Sequence, residues 1–193
     1  MQESTGKTKY VLLGVLSRGP QTGYSIKKAI EYEYSHFWQE SFGQIYPTLK
    51  LLVKEGLAES IESQEQKNGR GQIAYQITEA GKIELKKWLG EAPTVEKLRY
   101  EILLKVSFGA SCEPDTILGH LDEFIKRNER LIEEVDGFLD YFKKINNDEE
   151  RHIDSELTAL CGKYIYTAMR DWAVESKKVI KERKDGEHET KNS

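Results

Sequence analysis

The side chains with the most evident chemistry lie between residues 41 and 56. Ser41 and Gln44 form an S-x-x-Q pair, which is typical of the capping box that opens a helix. Apolar residues follow at i, i+4, i+7 and i+8, namely Ile45, Leu49, Leu52 and Val53. The polar side chains left for the other face are Gln44, Thr48, Lys50 and Lys54. Amides and hydroxyls bond to base edges and ammonium groups bind phosphate, so this face could contact a nucleic acid. The alternative is an ordinary solvated helix face.

A β-hairpin is predicted after this helix. Alternation places Leu57 and Ile61, and then Ile73, Tyr75 and Ile77, on one face of two strands, with Ala74 pointing the other way. The polar segment QEQKNGRG between the strands contains an Asn-Gly pair that favours a turn. Its tip carries Lys67 and Arg70, which could reach phosphate or a minor groove. A tip that is basic only for solubility would look the same.

Three further helices complete the first part of the chain. One is predicted at residues 9–16, where Gly19 and Pro20 stop it, and a second runs from Gly23 to about Glu33 with Thr22 as its cap. Another leads from Thr78 through Leu89. Three helices, a hairpin and a closing helix in about 80 residues is the order of a winged helix-turn-helix domain. We therefore predict that residues 1–89 form one.

The second part of the chain is predicted to be helical, with a boundary at residues 90–95. One helix is expected from about Val95 to near Gly109, and another carries a heptad stripe: Ile117, Leu121, Phe124, Asn128, Leu131, Val135, Phe138 and Phe142. A last helix, about residues 153–181, has an apolar side with Leu157, Leu160, Tyr164, Ala168 and Trp172. The fold class is thus mainly α with a small β-hairpin. Residues 95–182 form a helical dimerisation domain, and residues 183–193 a charged, disordered tail.

Several residues of the second part allow two interpretations. Tyr164, Met169 and Trp172 are candidates for an effector pocket for a small aromatic or apolar molecule, although packing in a core or dimer explains them too. Asn128 interrupts the apolar stripe, either to fix helix register or because the position is exposed. In the first part, the aromatic group Tyr32, Tyr34, His36, Phe37 and Trp38 either attaches the first domain to the helical one or forms a ligand cage.

Catalysis has little support in the sequence. The four histidines are scattered, and no G-x-S-x-G, phosphate-loop or H-E-x-x-H motif occurs. Cys112 and Cys161 have no Cys or His grouping around them, so no metal, cofactor or disulfide framework is expected, and free thiols fit a reducing compartment. No apolar run approaches the roughly 20 residues of a membrane helix, and the first ten residues lack the order of a signal peptide. We expect a soluble, cytoplasmic protein with no catalytic residues.

Charge is divided unevenly along the chain. The 193 residues carry a formal net charge of -4. Residues 1–90 contain 12 basic and 10 acidic side chains, whereas residues 91–193 contain 17 and 23. The first part alone is plausible against phosphate, and its excess is small.

Three segments resemble a known family. YVLLGVLSRGPQTGYSIKKAIE, FWQESFGQIYPTLKLLVKEGLAE and AYQITEAGKIELKKWL span nearly all of residues 9–89 and closely resemble the PadR family of bacterial transcriptional regulators. The most specific elements, in this order, are Gly23-Tyr24, the IYPTL block from Ile45 with Gly56 after it, and Tyr75 followed by ITEAG. RYEILLKV, from Arg99, is similar to the start of the helical C-terminal domain in the longer-chain branch, which is related to virulence-gene activators.

The resemblance implies a function. Members are dimeric DNA-binding proteins, usually repressors, whose C-terminal helices form the dimer. The matching family tyrosine suggests that the Tyr46 hydroxyl donates to a phosphate, whereas the alternative is a structural ring over the helix core. We therefore expect a homodimer that binds a pseudo-palindromic operator in double-stranded DNA and is released by an effector. The competing class is a winged-helix module that docks proteins without binding DNA.

Overall fold

The structure is a computed structural model that describes residues 3–35, 37–62, 73–95, 98–144 and 151–191. The chain divides into two compact units, Met1–Val95 and Glu96–Ser193. Both are mostly helical, and a small antiparallel sheet lies in the first. This confirms the predicted fold class.

The first unit follows the order of a winged helix. Its elements are α1 (Glu3–Leu16), β1 (Gln21–Thr22), α2 (Gly23–Ala29) continued by a π-helical turn (Ile30–Tyr34), α3 (Phe42–Lys54), β2 (Ala58–Glu62), β3 (Ile73–Ile77) and α4 (Glu79–Leu89). Helix α1 begins six residues before the predicted start. Its first two turns are polar or small and carry no apolar period, so the sequence pattern gave no sign of them.

The core of the first unit lies where α1, α2 and α3 meet the sheet. Its fully buried side chains are Leu12, Leu13, Leu16, Ile26, Ile30, Ile45, Leu49 and Leu52. Local signals set the helix positions. Thr22 and Ser25 form a reciprocal capping box at the start of α2, and α3 ends before Gly56, whose φ of 72° suits glycine.

The burial of two residues on β3 differs from the prediction. Its order is β1–β3–β2, with both pairings antiparallel. Ile73 is 57% exposed, whereas Ala74 is buried, opposite to the alternation expected. Ala74 lies on the central strand between Thr22 of β1 and Ile61 of β2, and its small side chain is covered there. The hairpin tip, with Lys67 and Arg70, lies outside the described residues.

The second unit is built on two long helices. Its elements are α5 (Glu101–Ser107), a 3-10 turn (Gly109–Ser111), α6 (Pro114–Lys144) and α7 (Arg151–Lys191). Ion pairs join α6 to α7 at Asp115–Lys184, Asp122–Lys177 and Asp136–Lys163. The paired numbers rise on one helix and fall on the other, so the helices run antiparallel.

The predicted stripe on α6 supplies the core of this unit. Ile117, Leu121, Phe124, Asn128, Val135 and Leu139 are buried. Asn128 is 4% exposed and its Nδ2 donates to the Phe124 carbonyl at 2.7 Å, which excludes the exposed-position alternative.

Two expectations about helix ends in the second unit are wrong. Helix α5 begins at Glu101 rather than Val95; Val95 is 88% exposed, and the residues that pack are Ile102 and Val106. Helix α7 continues to Lys191, ten residues beyond its predicted end near residue 181. Lysine, arginine and glutamate favour helix and no proline interrupts this run.

Candidate nucleic-acid interface

Helix α3 carries the predicted contact residues, and its first turn is held by the predicted capping box. Ser41 has extended backbone angles of φ -95° and ψ 158°. The Gln44 side-chain oxygen accepts from the Ser41 backbone N–H at 3.0 Å and from the Ser41 hydroxyl at 2.9 Å. The cap therefore occupies that oxygen and leaves the Gln44 amide NH₂ as its unused donor.

One predicted contact residue does not lie on the exposed face. Thr48 is 5% exposed, next to fully buried Leu49. It comes three residues after Ile45 and four before Leu52, so helical geometry places it with the core side chains. The prediction that Thr48 faces solvent is therefore wrong.

The exposed face of α3 is cationic and partly aromatic. Lys50 and Lys54 are exposed one turn apart, and α3 contains no acidic residue. Within the described part of the chain, no ion pair joins either ammonium group to a carboxylate. The same face presents apolar groups that the sequence interpretation did not consider: Phe42 and Leu51, each 44% exposed. A face with two uncommitted cations is suited to polyanion binding.

Tyr46 is both structural and accessible. Its ring is 42% exposed and stacks on Phe42, with centroids 6.0 Å apart and planes at 23°. The ring also lies directly over Gly23 of α2; a Cβ atom at Gly23 would stand 2.5 Å from Tyr46 Cε1. Gly23 thus permits this ring position. The two interpretations of Tyr46 are compatible, because the ring packs on Gly23 and Phe42 and the residue is still 42% exposed.

Ion pairs tie the end of α3 to α1 and α4. Lys9 of α1 lies 3.2 Å from the Glu55 carboxylate and 3.3 Å from that of Glu84. Burial lowers the pKa of Lys9, but the hydrogen bonds and attraction of both carboxylates outweigh it and leave that pKa above its ordinary value. Hydrogen bonds from the Tyr10 hydroxyl and from Lys9 lower the pKa of Glu84, and the bond from Tyr10 has the larger effect. Glu55, the acid that follows Lys54 in sequence, is therefore engaged by Lys9.

The ITEAG segment fixes the base of the hairpin. Thr78 Oγ1 accepts from the Gly81 N–H at 3.1 Å and donates to the Gly56 carbonyl at 2.7 Å. Gly81 packs so closely that a Cβ there would lie 2.1 Å from the Leu57 carbonyl oxygen. These contacts join the end of α3, β2 and the start of α4. The wing residues Lys67 and Arg70 lie beyond the described strands.

The candidate effector residues on α7 do not share one environment. Met169 and Trp172 pack against the cluster of Ile117, Leu121 and Phe124, and the Trp172 ring meets Phe124 edge-on at 6.0 Å. Tyr164 is 69% exposed and does not belong to that cluster. The structure therefore gives Met169 and Trp172 a packing role and leaves Tyr164 on a surface.

Among the described residues, no group of three or more His, Cys, Asp or Glu side chains could hold a metal ion. No helix in those ranges is long and apolar enough to cross a membrane.

The first unit has the fold of a winged helix, with a cationic exposed face on α3. Residues 12–87 match the Transcriptional regulator PadR-like family, and residues 98–181 match Virulence activator alpha C-term. The first unit therefore carries a PadR-like domain, and the second unit carries a domain of the Virulence activator alpha C-term type. The family resemblance inferred from the sequence is confirmed.

Individual relatives support the same family. Over 101 residues the chain is 36% identical to the Negative transcriptional regulator PadR of Bacillus subtilis, covering 52% of this chain and 55% of that protein. The match thus spans about half of that relative's length. In structure, the chain resembles Bacillus subtilis PadR in complex with operator DNA, with a TM-score of 0.81, 24% identity, and coverage of 89% of this chain and 96% of the other. The same PadR in complex with p-coumaric acid gives a TM-score of 0.68, with 24% identity and coverage of 90% and 94%.

Proposed function

We propose that this chain is a sequence-specific DNA-binding repressor that acts as a homodimer in the cytoplasm. The observation that carries the proposal is the exposed face of α3, where Lys50 and Lys54 lie one turn apart without an acidic neighbour on the helix. In a winged helix this helix enters the major groove. The Bacillus relative bears the name of a negative regulator and has been solved on operator DNA, which supports the assignment.

Each exposed side chain has a distinct proposed role. Lys50 and Lys54 bind phosphate, since a flexible ammonium acts as a point charge. Tyr46 donates its hydroxyl to a phosphate from the edge of the ring that packs on Gly23. Gln44 approaches a base with its amide NH₂, because its oxygen serves the helix cap. Thr48 is not included, because it is buried.

The hairpin tip is proposed as a second contact. Lys67 and Arg70 would bind phosphate or a minor groove. Because exposed charges at a tip contribute little to folding, replacing both with Ala should weaken DNA binding without lowering the melting temperature. A marked fall in melting temperature would make the tip structural instead.

Helix α7 presents the proposed dimer surface. Leu157 is 58% exposed, Leu160 38% and Tyr164 69%, and their spacing of three and four residues places them along one side. A two-fold dimer would set two α3 helices about 34 Å apart on one face of DNA and make the operator a pseudo-palindrome. An effector that binds more tightly to a dimer whose two α3 helices no longer match the spacing of the half-sites would release the DNA. By analogy with the p-coumaric acid complex of the relative, that effector is small and aromatic, and Tyr164, Met169 and Trp172 remain its proposed contacts.

The DNA-binding proposal is tested by selecting bound fragments from random DNA and titrating the selected operator at several salt concentrations. We expect a two-fold symmetric consensus and an affinity that falls linearly with salt on a log–log scale. No enriched sequence and no salt-dependent retention on DNA would refute it and favour the protein-docking class.

The dimer is tested separately on the full chain by light scattering. Leu157→Glu places a charge on the proposed surface and should shift the mass toward the monomer. Ile165→Glu is the control, because Ile165 is 39% exposed but lies roughly 80 to 140° around the helix from Leu157, Leu160 and Tyr164 at 3.6 residues per turn. A wild-type chain that is monomeric at micromolar concentration would remove the dimer mechanism and leave DNA binding to be judged alone.

A further inference from the structure

A cavity in the first unit lies beside the start of α3. Its volume is about 520 Å³, and its walls come from α2, the π-helical turn and the residues that lead into α3. The walls include Lys27, Ile30, Trp38, Glu40, Ser41 and Gln44. This volume falls within the range of small-molecule sites, roughly 300 to 1,000 Å³. All of these residues belong to the first unit, whereas the candidate effector residues on α7 belong to the second.

Glu40 is unusual among the residues that line this cavity, because it is a buried acidic side chain. It is 3% exposed, and the Trp38 indole N–H donates to its Oε1 at 2.8 Å. Its second oxygen, Oε2, is buried without a hydrogen-bond partner in the described part of the chain. A buried carboxylate oxygen without a donor is costly, and most buried polar atoms in proteins are satisfied. Glu40 also lines the cavity, so a rotation of its carboxylate would present Oε2 as an acceptor to whatever occupies that space.

The charges around the cavity favour a cation. Among the described residues of its wall, Lys27 is the one basic side chain, and its ammonium group is paired with Glu31 at 3.0 Å. The Glu40 carboxylate has no such partner, so the wall carries an excess of one negative charge. Trp38 and Ile30 supply an apolar surface beside this charge.

We propose that this cavity binds a small organic cation. A primary ammonium group of the ligand donates to Glu40 Oε2, while its apolar or aromatic body packs on Trp38 and Ile30. A hydrogen bond between an ammonium group and a carboxylate is short and about twice as strong as a neutral one. An anionic ligand would meet the uncompensated Glu40 and is rejected.

The position of the cavity links the ligand to DNA, in a step that rests on the proposed function. Ser41 and Gln44 form both part of the wall and the cap of α3. If the ligand binds one arrangement of the cap more tightly than another, it shifts the equilibrium between them. Operator affinity can then change by at most the ratio of the ligand's affinities for the two arrangements.

The binding step is tested on the full chain without DNA, so its outcome does not depend on the proposed function. Calorimetry with 2-phenylethylamine, a primary ammonium at neutral pH, is compared with 2-phenylethanol, which is neutral and nearly isosteric. We expect one saturable site per chain and binding of the alcohol weaker by roughly 10- to 100-fold, the range for a charged hydrogen bond. Glu40→Gln should weaken amine binding by a similar factor. The control is Glu59→Gln, which removes the same charge at an exposed position on β2.

A second measurement locates the ligand. The Trp38 indole N–H bonds to Glu40, so its NMR signal, assigned with Trp38→Phe, should shift on titration with the amine. No amine binding at millimolar concentration, equal binding of amine and alcohol, or undiminished binding to folded Glu40→Gln would overturn the site. If the amine binds but operator affinity stays the same, the site stands and its link to DNA fails. If the chain binds no DNA at all, the proposed function fails and calorimetry still decides the site.

Discussion

Replacing Gly23 with Ala tests whether the position of Tyr46 matters for DNA. Gly23 is the first residue of α2 and lies beneath the Tyr46 ring. The added Cβ would stand 2.5 Å from Tyr46 Cε1 and 2.8 Å from Cζ. Carbon atoms in contact prefer about 3.5 to 4.0 Å, so the ring must move by about 1 Å or more. Because the ring is 42% exposed, it can swing toward solvent while the helix backbones stay in place.

The expected cost falls on binding rather than on folding. A shift of about 1 Å takes the Tyr46 hydroxyl outside the 2.5 to 3.0 Å range of an O–H···O bond to phosphate. A hydrogen bond to a charged group contributes about 1.5 to 3 kcal/mol, so operator affinity should fall roughly 10- to 150-fold for each half-site. The loss of packing is offset by the better helix propensity of Ala, by up to about 1 kcal/mol, and the free energy of unfolding should change by no more than about that amount.

Operator titration and thermal unfolding of the same preparations separate these effects. Gly14→Ala is the matched control, since no heavy atom lies within 4 Å of a Cβ at that position in α1. Tyr46→Phe should reproduce the loss of affinity without moving the ring. Wild-type affinity in both Gly23→Ala and Tyr46→Phe would refute the phosphate contact. A folded Gly23→Ala variant that binds poorly beside a normal Tyr46→Phe would assign the effect to the ring rather than to its hydroxyl.

Three further predictions follow from the first unit and the operator. Lys50→Ala and Lys54→Ala should each weaken binding to all sequences alike and reduce the slope of log affinity against log salt by about 0.9 for each lost phosphate contact; a loss confined to one base position would show base recognition instead. Gln44→Ala should relax one operator position per half-site and, by removing part of the capping box, cost about 1 kcal/mol in denaturant unfolding; an unchanged selected consensus would leave Gln44 with the capping role alone. Gly81→Ala should destabilise the first unit by about 1 to 3 kcal/mol, because the added Cβ would lie 2.1 Å from the Leu57 carbonyl oxygen. If calorimetry shows that this variant unfolds at the wild-type temperature, the close approach of Gly81 to Leu57 is refuted.

Local signals in the sequence determined the starts of α2 and α3 and the main helical core. The Thr22 and Ser41 caps lie where their side chains predict, because a cap depends on residues only three positions away. The stripe on α6 predicted its buried face, since a long helix repeats one period against one partner. Family motifs in joint order identified the winged helix as well as the family.

Tertiary contacts decided what those signals could not. Strand β1 has two residues and no period of its own; it exists because Gln21 and Thr22 pair with β3. The burial of Ala74 and the exposure of Ile73 follow from neighbouring strands rather than from alternation. Burial of Glu40 likewise depends on packing, because its Trp38 partner is only two residues away in sequence but the other walls of its cavity come from α2, the π-helical turn and the start of α3. A hydropathy pattern records how each residue interacts with water, whereas these positions are set by residues distant in sequence that meet only in the folded chain.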